Sequence, residues 1–174
     1  MLLAEVSALA HPPRVVAVFR RADLPRGMRP VTLALWQIGD PGNVGTLLRA
    51  ADAFDAGVAL SDGCADPTGP KALRASMGAV FRVPLSGFDE PRGKRVALVP
   101  GGGTPLPELE AGGEIVLLLG AEREGLPADV LERWPFDPIY GAWWERIIPS
   151  GGKQALAYSV RRYLRAISGP PDEG

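Results

Sequence analysis

Residues 43 to 54 read Asn43-Val44-Gly45-Thr46-Leu47-Leu48-Arg49-Ala50-Ala51-Asp52-Ala53-Phe54, a small, apolar segment interrupted by one cation. A guanidinium stays protonated below about pH 12, so Arg49 is a poor base. Its chemistry is to hold a phosphate or to stabilise an oxygen that is gaining negative charge. Asn43, six residues earlier, carries an amide that both donates and accepts and can orient a polar ligand. Asp52 offers Arg49 a plainer occupation, an i, i+3 ion pair worth about 0.2–0.5 kcal/mol. Pattern alone favours that pairing.

These residues need a helix. Val44, Leu47, Leu48 and Ala51 recur at the i, i+3, i+4, i+7 spacing of one buried helical face, and Gly45, Arg49 and Asp52 fall on a neighbouring stripe. Asp40-Pro41-Gly42 is turn chemistry and Asn43 a good N-cap, which predicts a helix starting near Val44. Gly45 in its first turn costs roughly 1 kcal/mol relative to alanine, so something must approach that backbone closely.

Other chemistries find too few residues. His11, the one histidine, lies beside Pro12 and Pro13, and no Gly-x-Ser-x-Gly elbow exists to build a Ser-His site on it. Cys64, the one cysteine, forbids an internal disulfide, excludes a zinc site of cysteines and histidines, and reads as a small residue at a strand end. No metal site is expected. Gly151-Gly152-Lys153 resembles a phosphate loop only faintly, because Gln154 replaces the Ser or Thr and no glycine stands five residues before Gly152. Gly101-Gly102-Gly103-Thr104 has the form of a tight loop, which also suits a backbone-to-ligand approach. A net charge of −1 argues against holding nucleic acid by bulk charge. Arginines do gather toward the ends, at Arg14, Arg20, Arg21, Arg26 and Arg29 and at Arg161, Arg162 and Arg165, with glutamates between them. A solvated mixed surface is the commoner origin of such spacing, and a basic face is the other.

The frame that must position Arg49 is alternating. Val15–Phe19, Val31–Trp36, Gly57–Leu60, Phe81–Val83, Val96–Val99 and Ile115–Leu119 are short apolar runs of strand type, and Ile147-Ile148 ends another. Helices are expected from Val44, from Gly69-Pro70, from Pro127 and over about 153–167. Strands alternating with helices predict an α/β fold, a mostly parallel sheet with helices on both faces. At 174 residues and 46% hydrophobic content, residues 1–168 are expected to form one domain, with 169–174 a frayed tail. No run reaches the roughly 18 apolar residues of a membrane span, and the N-terminus lacks the order of a secretory signal, so the cytoplasm is the expected compartment.

Three segments in order resemble one family. Asn43-x-Gly45-x-x-x-Arg49-x-Ala51-x-Ala53-Phe54 is similar to the first motif of the SpoU/TrmH RNA 2′-O-ribose methyltransferases of the SPOUT class. Leu118-Leu119-Gly120-Ala121-Glu122-Arg123-Glu124-Gly125-Leu126-Pro127 resembles the second, and Ile148-Pro149 with Gly151-Gly152 and a terminal helix the third. Lys71 to Ala79 leading to Arg82-Val83-Pro84 resembles the intervening stretch, so the likeness spans roughly residues 14–167.

The resemblance implies a C-terminal deep trefoil knot, the SPOUT fold, with S-adenosylmethionine bent inside it. By position, Gly120, Ile148 and Leu156 are the cofactor contacts it implies, with Leu119, Glu122, Gly125 and Pro149 beside them. Arg49 and Asn43 are the implied catalytic pair, Arg49 on a phosphate near the reacting ribose and Asn43 orienting the loop or the sugar. Glu122 is implied to fix backbone amides of its loop. Implied partners are ribosomal or transfer RNA and a second copy of the chain in a homodimer that packs about the knot and carries Arg49 toward the partner's cofactor; RNA affinity is expected from the domain itself, a dimer groove or an accessory RNA-binding protein. One departure matters. Where the family's third motif carries Ser-Leu-Asn, this chain has Ala155-Leu156-Ala157, and Ser150 stands where Met is usual. Two readings follow: an S-adenosylmethionine-dependent ribose methyltransferase, or a catalytically weak or inactive relative that binds RNA or cofactor.

Overall fold

A computed structural model describes residues 15–99, 109, 112–133 and 140–141. Within these residues six strands form a single sheet: β1 (Val31–Leu35), β2 (Gly57–Leu60), β3 (Leu85–Gly87), β4 (Lys94–Val99), β5 (Ile115–Leu119) and β6 (Tyr140–Gly141). Their order is β3-β2-β1-β5-β4-β6, and every pair is parallel. Among the described residues three α-helices accompany them, α1 (Pro41–Ala53), α2 (Pro70–Ser76) and α3 (Ala128–Glu132).

The pleat divides the core in two. Ala34 pairs with Ala59 on one side and Leu118 on the other, and these three turn to one face, where Val116, Phe88 and Val130 of α3 join them. Leu35 and Val58 turn to the opposite face and pack on Val44, Leu48 and Ala51 of α1. Both faces of the parallel sheet are therefore covered by helix, as continuous apolar strands require. The bounds of β2 and β5 and the opening of α2 are those read from the sequence, and α3 opens at Ala128, one residue after Pro127, which is its N-cap.

Gly45 meets its close neighbour here. A Cβ at that position would lie 2.5 Å from the Ala72 carbonyl oxygen and 2.5 Å from the Ala75 Cβ, so the missing side chain lets α2 lie directly on α1. Three other expectations are corrected. The α1 N-cap is Asp40, not Asn43: its carboxylate accepts the Asn43 N–H at 2.9 Å and Pro41 fills the first turn. Val15–Phe19 is no strand, with Val15 80% and Val18 95% exposed. The outer edge of β3 is already taken, because the Leu85 N–H donates to the Pro25 carbonyl at 3.0 Å and the Leu85 carbonyl accepts from Gly27 at 3.3 Å. Phe81–Val83 is not strand either. Met77 (φ 51°) and Gly78 (φ 85°) end α2 in left-handed conformation, and a 3-10 turn at Ala79–Phe81 follows before β3 begins at Leu85. Cys64 sits in the turn after β2, where its thiol donates to the Leu35 carbonyl at 3.3 Å. The knot, the Ile147-Ile148 strand and the terminal helix lie outside the described residues.

Candidate functional site

The sheet has a switch point at β1. From β1 the chain crosses through α1 to β2 on one side, while β5 lies against its other side. Connections leaving such neighbours diverge and open a crevice beyond the carboxyl ends of the strands. A cleft of about 320 Å³ fills that place. Ile38, Gly39, Asp40, Asn43, Thr46 and Leu47 line it from the β1–α1 side, and Leu119, Gly120 and Glu122 from the end of β5. Two of the sequence segments, which begin 75 residues apart at Asn43 and Leu118, thus meet in one cavity.

Its first wall is held by electrostatics. Asp40 accepts the Asn43 N–H through one oxygen and the Lys71 ammonium through the other, at 2.7 Å. The Lys71 hydrogen bond, with the Asn43 amide behind it, keeps the Asp40 carboxyl below its ordinary range. A carboxyl whose folded pKa is depressed contributes stability above its unfolded value of about 3.9, and that contribution disappears as pH falls through the folded value. Lys71→Met is accordingly expected to lower Tm at pH 7 and to raise the acid-unfolding midpoint. Wild type and variant should converge once the pH has fallen far enough to protonate the carboxyl in both states. A difference that does not shrink as the pH is lowered through the acid range, measured by circular dichroism, would show that Lys71 acts by packing alone.

The second wall is a loop closed on itself. The Gly125 N–H donates to the Ala121 carbonyl at 2.8 Å, and Gly125 adopts φ 66°. A Cβ on Gly120 would lie 2.1 Å from the Gly125 carbonyl carbon and 2.3 Å from the Leu126 nitrogen. Gly120 is therefore glycine because its own loop returns across it, a reason beyond any ligand.

Arg49 stands apart from the cleft. It is exposed on the α1 stripe that carries Gly42, Gly45 and Asp52, the seam with α2. The ion pair expected from spacing is not made. Asp52 instead takes Arg82, 30 residues on, with Nε and Nη2 donating at 3.0 and 2.6 Å. That contact holds the Asp52 carboxyl below its ordinary range. Among the described residues Arg49 has no ion-pair or hydrogen-bond partner, which leaves its charge available to a ligand. Ile148, Pro149 and Leu156 lie outside the described residues. Sequence reasoning missed Asp40 as the cap and Thr46 and Leu47 as cleft residues. An Asp-Pro pair opening a helix was the available signal for the first.

Among the described residues no cluster of metal-ligating side chains exists, and no helix is long and apolar enough to cross a membrane. The model of the SpoU rRNA methylase family matches residues 30–137. An uncharacterized tRNA/rRNA methyltransferase of Synechocystis is 33% identical over 145 residues, 75% of this chain and 53% of that protein. A 23S rRNA (guanosine(2553)-2′-O)-methyltransferase of Bacillus subtilis is 31% identical over 150 residues, 78% of this chain and 60% of that protein. Among solved structures, the AdoMet-bound rRNA methyltransferase of Sinorhizobium meliloti superposes with a TM-score of 0.59 at 26% identity, over 82% of this chain and 60% of that one. The chain spans between half and three-fifths of the length of these relatives.

Proposed function

The chain belongs to the SpoU rRNA methylase family, and from that premise we propose that it transfers a methyl group from S-adenosylmethionine to a ribose 2′-hydroxyl of ribosomal or transfer RNA. The observation that carries this reading is the joining of Asn43 with Leu119, Gly120 and Glu122 in one cleft at the switch point of the sheet. Similarity to a 2′-O-methyltransferase and to an AdoMet-bound rRNA methyltransferase supports the same reaction and cofactor.

The cleft fits that cofactor. Its volume of about 320 Å³ suits a small molecule, and Ile38, Leu47 and Leu119 give it apolar walls with the Glu122 carboxylate at the rim. Leu119, Gly120, Glu122 and Gly125 would hold S-adenosylmethionine here, joined by Ile148, Pro149 and Leu156. The bound cofactor supplies an electrophilic methyl on a sulfonium. The chain supplies position and charge. Asn43, on the first turn of a capped helix, orients the ribose. Arg49 binds the adjacent phosphate and stabilises the alkoxide that develops as the hydroxyl loses its proton, and the phosphate helps to take that proton.

Asn43 lines the cleft, whereas Arg49 is exposed on the α1 stripe beside the α1–α2 seam and is not among the cleft residues. This separation supports a homodimer about the knot, in which Arg49 of one protomer serves the cleft of its partner. The domain over 1–168, a cytoplasmic site of action and an accessory RNA-binding protein belong to the same reading.

The test is incubation with methyl-labelled S-adenosylmethionine and unmodified total RNA, followed by alkaline hydrolysis. A methylated 2′-oxygen cannot attack its phosphate, so label is expected in alkali-resistant dinucleotides. Label in no RNA, or only in mononucleotides, overturns the reading. A second reading, a member that binds without methylating, is favoured by Ala155 and Ala157. It predicts no transfer by the natural chain and transfer by the double variant Ala155→Ser, Ala157→Asn.

A further inference from the structure

A second cleft opens on the other side of the β1–α1 loop. Trp36 and Gln37 line it, whereas the next two residues, Ile38 and Gly39, line the cleft already described. Its volume is about 490 Å³, and it lies across the carboxyl ends of β1, β2 and β3 with Arg133 at the end of α3. The Arg133 guanidinium sits over the Trp36 indole, 5.4 Å from its centroid, and the Phe88 ring meets the same indole edge-on at 5.1 Å. Asp89 and Asp129 steady Arg133 at 3.8 and 3.4 Å. The cleft therefore contains a stacked cation and indole with fixed partners, and an RNA base stacks on an aromatic or guanidinium plane.

The polar groups around it divide into used and unused. Glu90 accepts the Gly87 N–H at 2.9 Å, and Asp89 is turned to Arg133. Asp62 and Gln37 are exposed, and among the described residues their side chains have no hydrogen-bond or ion-pair partner. Gln37 also holds φ 51°, a left-handed conformation that is uncommon for a residue with a side chain and is found at binding loops. Its N–H donates to Ser61 Oγ at 2.9 Å, and Ser61 Oγ donates to the Asp62 carbonyl at 3.0 Å, so the two unused side chains are mounted on one hydrogen-bonded frame.

We propose that this cleft binds a guanine base of the RNA strand that enters the neighbouring cleft, stacked on the Arg133–Trp36 pair and read on its Watson–Crick edge by Asp62 and Gln37. A carboxylate accepts only, and guanine alone among the common bases presents two adjacent donors, N1–H and N2–H, to its two oxygens. The Gln37 amide donates to O6 beside them. Uracil, with one N–H between two carbonyls, leaves the carboxylate facing an oxygen. The assignment to an RNA strand rests on the methyltransferase reading. The preference for guanine rests on the cleft.

The experiment has two arms. Calorimetric titration of the full chain with guanosine 5′-monophosphate and uridine 5′-monophosphate should show the guanine nucleotide binding at least about tenfold tighter, the discrimination of one bidentate contact. Asp62→Asn, a surface change, should remove the preference, and Arg133→Lys should weaken both nucleotides because the charge remains and the stacking plane is lost. Equal affinities, or a preference that survives Asp62→Asn, overturn the proposal. In the second arm, Asp62→Asn should raise KM for RNA about tenfold with kcat and the S-adenosylmethionine Kd unchanged, and an unchanged KM or a weakened cofactor also overturns it. If no RNA is methylated yet the guanine preference and its loss in Asp62→Asn are seen, the methyltransferase reading fails and the base site stands.

Discussion

Gly120→Ala is expected to abolish tight binding of S-adenosylmethionine and to destabilise the fold together. The added Cβ would fall 2.1 Å from the Gly125 carbonyl carbon, 2.3 Å from its oxygen and 2.3 Å from the Leu126 nitrogen. All three are backbone atoms, so no side-chain rotation relieves the clash, and the loop of residues 121–125 has to open. Opening it breaks the Gly125 to Ala121 hydrogen bond, worth about 0.5–1.5 kcal/mol, and adds overpacking of about 1–3 kcal/mol. At roughly 2–4 °C per kcal/mol for a chain of this size, a fall in Tm on the order of 5–10 °C follows. The same displacement moves Leu119 and Glu122, which line the cleft on either side, so cofactor affinity measured by calorimetry at 15 °C, where the variant is folded, should fall by more than about tenfold. Gly125→Ala is the informative companion. Nothing lies within 4 Å of a Cβ there, but φ is 66°, so only conformational strain of about 1–2 kcal/mol is added. If Gly125→Ala proves the more damaging of the two, the close return of the loop over Gly120 is not what requires glycine.

The contrast between these glycines shows how far the sequence could be read. That Gly45 must accommodate a close neighbour was legible from its cost in a helix. Which neighbour was not, because the Ala72 carbonyl arrives by tertiary packing from 27 residues away. The bounds of β2 and β5 were legible because each is a short apolar run between turn residues, and a run buried on both faces has no polar alternation to misread. The start of α1 was misjudged by three residues because Asp40 and Asn43 both cap well, and the choice falls to Pro41, whose missing N–H suits the first turn. Val15–Phe19 has strand composition, and its fate depends on whether an edge is free. Residues 25–27 had already closed the β3 edge, a fact held nowhere in residues 15–19 themselves. Asp52 illustrates the same limit for charge: local spacing offered Arg49, and the fold supplied Arg82 with two nitrogens in range. The meeting of Asn43 with Gly120 was legible only through resemblance. The cleft at Trp36 was not legible at all, since it depends on the register that sets Trp36 and Gln37 on one side of the loop and Ile38 on the other.

That displacement of Arg49 from its expected partner leads to the prediction with the greatest effect on activity. Arg49→Ala should leave Tm within about 1 °C of wild type, because the side chain is exposed and gives up no ion pair among the described residues. Methyl transfer should nevertheless fall about 10²–10³-fold in kcat, the loss typical of removing one preorganised group that stabilises developing oxyanion charge. Asn43→Ala should also lower transfer, through the cleft of its own chain. Mixing the two impaired variants then separates arrangement in one chain from arrangement across two. If Arg49 serves the partner's cleft, a mixed dimer contains one complete site, formed by Asn43 of the Arg49→Ala protomer and Arg49 of the Asn43→Ala protomer. With half of the dimers mixed and one site of two complete in each, refolding an equal mixture from denaturant should restore about a quarter of wild-type transfer. If both residues act within one chain, no protomer in the mixture carries both, and activity stays at the level of the separate variants. The second outcome would remove the case for Arg49 acting across a dimer, and would require the α1–α2 seam and the Asn43 cleft to be bridged by the RNA itself.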